Sequence, residues 1–112
     1  MKIYRRDEFL KLPSGTIYCK GKPWYWEQIS VKAESLPNDF IEMQLNTIES
    51  HDSGDLDKKY TEMLECGASY PLTDDYYGRD GCFDDEDLFL VYEVSDLVTL
   101  KAIIDSGIKT AT

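Results

Sequence analysis

The segment from Asp74 to Glu93, DDYYGRDGCFDDEDLFLVYE, concentrates acidic side chains just before an apolar run. Carboxylates at this density can bind a divalent cation, transfer protons, or imitate the phosphates of a nucleic acid. A calcium loop needs oxygen ligands at alternating positions and a glycine at the sixth. Neither this segment nor the loop from His51 to Glu62 has that spacing, so the sequence predicts no metal site.

Catalytic groups elsewhere in the chain are few. His51 is the only histidine, and no cysteine or serine carries the local signature of an activated nucleophile. The 22 acids make some close carboxylate pair inevitable, so such a pair carries little information. Because glycine-rich phosphate loops are also missing from the sequence, we expect a protein that is not an enzyme and needs no cofactor.

One group of cations and aromatics has a different chemistry. Lys20, Lys22, Trp24 and Trp26, together with Arg79, combine rings that can stack on a base with charges that can meet a phosphate. Alternating aromatics on a strand more often belong to a core. Nucleotide binding by these residues is therefore an alternative hypothesis.

Net charge is the strongest global feature, with 12 basic and 22 acidic residues giving −10. Residues 1–37 carry seven bases and four acids, and residues 38–112 carry five bases and eighteen acids. A domain this negative repels nucleic acid and anionic membranes and attracts basic partners. Aromatic anchors among the acids are typical of a protein interface. The predicted partner-binding residues are Asp74, Asp75, Tyr76, Tyr77, Asp80, Phe83, Asp84, Asp85, Glu86 and Asp87.

The elements that must position these residues follow from hydrophobic periodicity. Strands are predicted over residues 16–20, 24–32, 40–48 and 88–93, and helices over residues 55–66 and 96–106, with a short helical turn near the N-terminus. Asp7 and Ser95 are the predicted N-terminal caps of that turn and of the last helix. This pattern predicts one α+β domain over residues 1–112, an antiparallel sheet of about four strands with two or three helices packed on one face.

Local patterns add detail to two of these elements. In the strand over residues 40–48, Ile41 and Met43 alternate with Glu42 and Gln44, the period of a half-buried strand. Gly67 is predicted to end the helix over residues 55–66.

The connection over residues 68–87 is long enough to favour a binding role. Arg79 is expected to hold it in place by pairing with a neighbouring aspartate. The acids of this connection would then form a shaped surface.

The three cysteines are scattered and lack the spacing of a zinc site, which indicates reduced thiols. No run of about 18 apolar residues spans a bilayer, and the N-terminal residues lack the apolar stretch of a secretory signal. We therefore expect a cytoplasmic protein.

Three segments, Glu8 to Tyr18, Asn38 to Phe40 and Tyr77 to Glu93, resemble a family of small acidic proteins encoded by bacteriophages and prophages. The likeness covers most of the chain but brings no functional residue with it. It implies a phage origin, and small phage accessory proteins often block host defence, either by binding a defence protein or by sequestering a nucleotide messenger.

Charge, loop length and this resemblance together predict an anti-defence inhibitor located in the host cytoplasm. It would bind a basic, nucleic-acid-handling surface of a host protein, such as a CRISPR effector or another defence nuclease, without binding nucleic acid or a membrane itself. One alternative is a sponge for a cyclic nucleotide messenger. Another is a structural or regulatory phage protein whose acids serve solubility, and the sequence leaves homo-oligomerisation open.

Overall fold

An antiparallel sheet organises the fold. The computed structural model describes residues 1–75, 77–80, 84 and 86–112. Within this part of the chain the sheet has six strands: β1 (Lys2–Arg5), β2 (Ile17–Lys22), β3 (Tyr25–Ser35), β4 (Phe40–Gln44), β5 (Gly78–Arg79) and β6 (Leu88–Val91). They lie in the order β1-β6-β2-β3-β4-β5. The α+β class is confirmed, and the two strands beyond the predicted four are the short edge strands β1 and β5.

Three helices accompany the sheet in the described residues: α1 (Arg6–Phe9), α2 (Ser53–Cys66) and α3 (Val94–Ala111). The predicted caps Asp7 and Ser95 lie inside their helices, because α1 already begins at Arg6 and α3 at Val94. The N–H of Glu93 instead donates to the Asp96 carboxylate at 2.8 Å. Gly67 does end α2, in a left-handed conformation with φ of 69°.

The core lies on the face of the sheet that α1 covers. Arg6 and Phe9 are three residues apart on this short helix, so both reach the sheet. The Phe9 ring stacks on Phe89 with centroids 4.1 Å apart, and the Arg6 guanidinium lies 5.3 Å from the centre of the same ring. Tyr18 and Phe40 complete a cluster of fully buried aromatic side chains.

Strand β4 has covered side chains on both of its faces, whereas its alternation predicts that only the face of Ile41 and Met43 is covered. Phe40 is fully buried in the aromatic cluster, and Glu42, one of the polar members of the pattern, is part-buried on that same face. Met43 is buried on the opposite face. Both faces of β4 are therefore covered, although α2 and α3 contribute no buried side chain.

The β2–β3 hairpin contains a position where only glycine fits. The pairing shifts register between Cys19 and Gly21, and Gly21 has φ of 155°. A Cβ atom at Gly21 would lie 2.2 Å from the carbonyl oxygen of Tyr25. The hairpin that carries Lys20 and Lys22 therefore depends on this glycine.

Replacing Gly21 with alanine should lower the free energy of unfolding by about 2–3 kcal/mol, because the new methyl group meets backbone and the φ angle becomes strained. Urea denaturation measures this loss. Gly78→Ala is the matched control, since no atom lies within 4 Å of a Cβ added there. Equal losses in the two variants would show that the close approach at Gly21 is not what matters.

Candidate partner-binding surface

The acidic segment, residues 74–87, is attached to the rest of the fold just before it, within it and at its end. Just before it, the N–H of Thr73 donates to the carbonyl of Thr47 at 2.9 Å. Within it, β5 pairs with β4, with Arg79 opposite Ile41. At its end the chain enters β6 at Leu88. The segment is thus attached to the scaffold at three points.

Asp80 is the most deeply held member of the acidic segment. Its side chain is only 3% exposed, and its carboxylate accepts hydrogen bonds from Lys20 Nζ at 2.9 Å and Arg6 Nη1 at 3.3 Å. Its backbone N–H donates to the carbonyl of Phe40 at 2.9 Å. Asp80 is therefore an anchor, and its predicted place on the partner-binding surface does not fit its burial.

Asp87 is a second anchor at the other end of the acidic segment. One of its carboxylate oxygens lies 3.6 Å from Arg6 Nη2, and the other lies 3.9 Å from Lys22 Nζ. The first oxygen also accepts the N–H of Asp84 at 3.1 Å. Because Asp80 and Asp87 meet the same guanidinium, Arg6 ties the two ends of this stretch together.

Arg79 pairs with an aspartate, as predicted, but the aspartate lies 40 residues away in the sequence. Its Nε donates to the carboxylate of Asp39, whose side chain is 4% exposed while that of Arg79 is 65% exposed. This hydrogen bond and the charge of Asp39 raise the pKa of Arg79. The pair fixes β5 to the residue that precedes β4.

The anchored residues leave a smaller set of carboxylates facing solvent. Asp84 and Glu86 are exposed, and the N–H of Glu86 donates to the Asp84 side chain at 2.9 Å, which shapes a tight turn. Asp74 and Asp75 are also exposed, and Tyr77 is 47% exposed. Three further predicted partner-binding residues, Tyr76, Phe83 and Asp85, lie outside the described residues.

The cations of the alternative nucleotide site are already paired with carboxylates. Lys20 meets Asp80, Lys22 lies near Asp87, and Arg79 meets Asp39. Burial alone would lower the pKa of Lys20, but its hydrogen bond to Asp80 and the charges of Asp80, Glu27 and Asp87 together outweigh burial and raise it.

The two tryptophans of that alternative site differ in exposure. Trp24 is 83% exposed in the turn of the β2–β3 hairpin, whereas Trp26 is half-buried. The Trp24 ring is therefore available for stacking on a base. The nearby lysines, however, are already paired with carboxylates.

Sequence reasoning missed three residues that build this region: Arg6, Asp39 and Glu42. Glu42 accepts a hydrogen bond from the hydroxyl of Tyr18, and burial raises the pKa of Glu42 more than this bond lowers it. No local pattern marks any of the three, because their partners lie far away in the chain. The only sequence signal is that Glu42 stands between apolar residues of β4, which indicates that the strand is covered on at least one face.

Replacing Glu42 with glutamine should change how stability depends on pH. The pKa of Glu42 is raised in the folded protein above the ordinary value of 4.5, so the folded state keeps a proton that the unfolded chain releases. The wild-type protein therefore loses stability as pH rises from about 4.5 through the raised pKa of folded Glu42. The variant should lack this decline. Glutamine still offers an oxygen to the Tyr18 hydroxyl.

Urea unfolding between about pH 4 and pH 7 measures the decline. Asp55 and Asp96, whose pKa values are lowered by hydrogen bonds from the His51 N–H and from the N-terminal ammonium, act near and below 3.8 and are unchanged in the variant. A decline of the same size in both proteins would assign it to another group.

Other chemistry is sparse in the described part of the chain. No group of three His, Cys, Asp or Glu side chains there is arranged to hold a metal ion. Cys19 and Cys66 are free thiols, the first buried and the second exposed. None of the described helices has both the length and the apolar character needed to cross a membrane.

Comparison with known proteins identifies no relative. No protein-family model matches the chain, and neither the curated proteins nor the solved structures contain a match. The phage origin stays a prediction from the sequence, and the functional argument rests on the residues and geometry described above.

Proposed function

We propose that this protein is a non-enzymatic, phage-encoded inhibitor that binds a basic, nucleic-acid-handling surface of a host defence protein. The contact surface is the exposed part of the acidic segment. The observation that carries the proposal is the way Arg6 holds Asp80 and Asp87. The N–H of Asp84 donates to the anchored Asp87, and the N–H of Glu86 donates to Asp84, so Asp84 and Glu86 present their charge from a turn held to an anchor.

A fixed turn favours binding because less conformational entropy is lost when the partner engages it. The charges on the turn match the chemistry of a groove lined by lysine and arginine, which normally receives phosphates. The excess of eighteen acids over five bases in residues 38–112 steers such a partner toward this half of the chain. Occupying that groove would block nucleic acid by the same electrostatics that bind it.

Capture from a bacterial lysate tests the proposal. The tagged protein should retain a basic, nucleic-acid-handling protein at low salt and release it as salt rises, because the interaction is between charges. A lysate that yields no specific partner at low salt would favour the alternative of a structural or regulatory phage protein, whose acids serve solubility alone.

Trp24 gives the nucleotide-binding hypothesis one supporting observation, since its ring is 83% exposed in the hairpin turn. Base stacking on such a ring tolerates many sequences and needs nearby positive charge. Calorimetry with a panel of cyclic nucleotides tests this second candidate. Heat that disappears in Trp24→Ala would support it, and absence of heat across the panel would remove it.

A further inference from the structure

Helix α3 projects from the body of the protein. It has 18 residues, about 27 Å at the rise of an α-helix, and none of them is buried. Every side chain from Lys101 onward is exposed. The radius of gyration is 15.8 Å, compared with about 13 Å for a compact chain of this length. Most of α3 therefore lies free of the sheet.

This projecting helix carries an apolar stripe. Leu97, Leu100, Ile104 and Ile108 follow one another at spacings of three or four residues and so share a face. Ile104 is 53% exposed, Ile108 is 60% exposed, and Ile103 beside them is 62% exposed. An isolated helix gains little stability in water, and a continuous apolar stripe on one indicates a surface that another helix covers.

The charge of α3 differs from that of the rest of the molecule. The helix contains two acids, Asp96 and Asp105, and two bases, Lys101 and Lys109, so it is neutral while the whole chain carries −10. A basic partner finds no net opposite charge on α3. A neutral apolar helix is instead complementary to a copy of itself, since the same patch serves on both sides of a two-fold axis.

We propose that α3 is a dimerisation helix, which packs antiparallel against α3 of a second copy of this chain. A two-fold axis near Ile104 places Leu100 of one copy beside Ile108 of the other. Lys101 and Asp105, which pair at 3.0 Å within each helix, then lie beside the same pair of the other copy, and antiparallel helix dipoles add to the attraction.

The exposed apolar area of α3 is that of a weak, reversible pair. Ile103, Ile104 and Ile108 are each more than half exposed and supply roughly 100 Å² each, so together they contribute roughly 300 Å² per copy, about half of the roughly 600 Å² per partner of the smaller specific interfaces. The polar side chains that flank the stripe add to this area.

Dimerisation goes beyond the proposed function and does not depend on it. A dimer would present two acidic segments, which strengthens binding to a partner that itself has two sites. Because the test uses the isolated protein, its outcome is independent of any host partner.

Sedimentation of the full chain over about 1–100 μM tests the proposal. The wild-type protein should be a dimer at the upper end of this range. Ile104→Glu combined with Ile108→Glu should weaken the dimer by at least about 100-fold, because two charges then enter the stripe. These side chains are exposed, so the variant should fold, and its circular dichroism verifies this.

The matched control is Thr99→Glu combined with Thr110→Glu, which adds the same charge on the opposite side of α3 and should leave the dimer intact. A wild-type monomer at about 100 μM would overturn the proposal. So would a dimer that survives the isoleucine substitutions, or one that both variants dissociate equally.

Discussion

Replacing Asp80 with asparagine should lower the free energy of unfolding by about 3–5 kcal/mol, the largest loss expected from any acid in this chain. The carboxylate is almost inaccessible to water and meets Lys20 at 2.9 Å and Arg6 at 3.3 Å. Asparagine keeps the shape but removes the charge, which leaves Lys20 without its paired carboxylate and takes one carboxylate away from Arg6 in a poorly solvated site. Such a change lowers the free energy of unfolding far more than the loss of an exposed ion pair does.

Urea denaturation at neutral pH measures this loss, with Asp74→Asn as the matched control. Asp74 is exposed, and its substitution should change stability by no more than about 0.5 kcal/mol. Combining Asp80→Asn with Lys20→Met should recover part of the loss, because the cation that lost its paired carboxylate is then gone. A loss below about 1 kcal/mol in Asp80→Asn would mean that Asp80 does not anchor the acidic segment.

Reversing the charge of Asp84 and Glu86 together, as Asp84→Lys with Glu86→Lys, should weaken binding to the basic partner by at least about 100-fold at low salt. Lysines at these positions place positive charges opposite the basic surface of the partner. The slope of affinity against salt should also flatten, since fewer opposite charges meet. Titration calorimetry at several salt concentrations measures both changes.

The control for this second prediction is Asp57→Lys with Glu65→Lys on α2. Both of these side chains are exposed, and the net charge changes by the same amount as in the first variant. The control should lose little affinity if binding depends on the turn. Equal losses in the two variants would show that only the overall charge of the protein matters.

The features that could be predicted from the sequence depend on residues close together in the chain. The β2–β3 hairpin, helix α2 with its left-handed Gly67, and the apolar strand β6 all follow from local spacing and turn chemistry. The edge strands could not be predicted in this way. Strand β5 has two residues and exists because β4 offers it a partner.

The anchoring of the acidic segment depends on pairs that no local pattern reveals. Arg6 and Asp80 are 74 residues apart, and Arg79 and Asp39 are 40 residues apart. A run of charge usually faces solvent, so the sequence pattern places Asp80 on the surface together with its neighbours. Burial of Asp80 follows instead from two cations that α1 and β2 bring to the same place.

The alternation in β4 was misleading for a related reason. Period two shows that Ile41 and Glu42 lie on opposite faces, but it does not show which faces are covered. The four-residue helix α1 covers the side that carries Glu42. In α3, by contrast, the shared face of Leu97, Leu100 and Ile104 follows from the sequence.

Competition with nucleic acid for the captured host protein is the most direct test of the acidic segment as an inhibitory surface. Labelled nucleic acid bound to that host protein should be displaced by the wild-type chain and by the α2 control variant. The Asp84→Lys and Glu86→Lys variant should fail to displace it over the same concentrations. If nucleic acid and the wild-type protein bind the host protein together, or if all three proteins displace it equally, the proposed function is wrong.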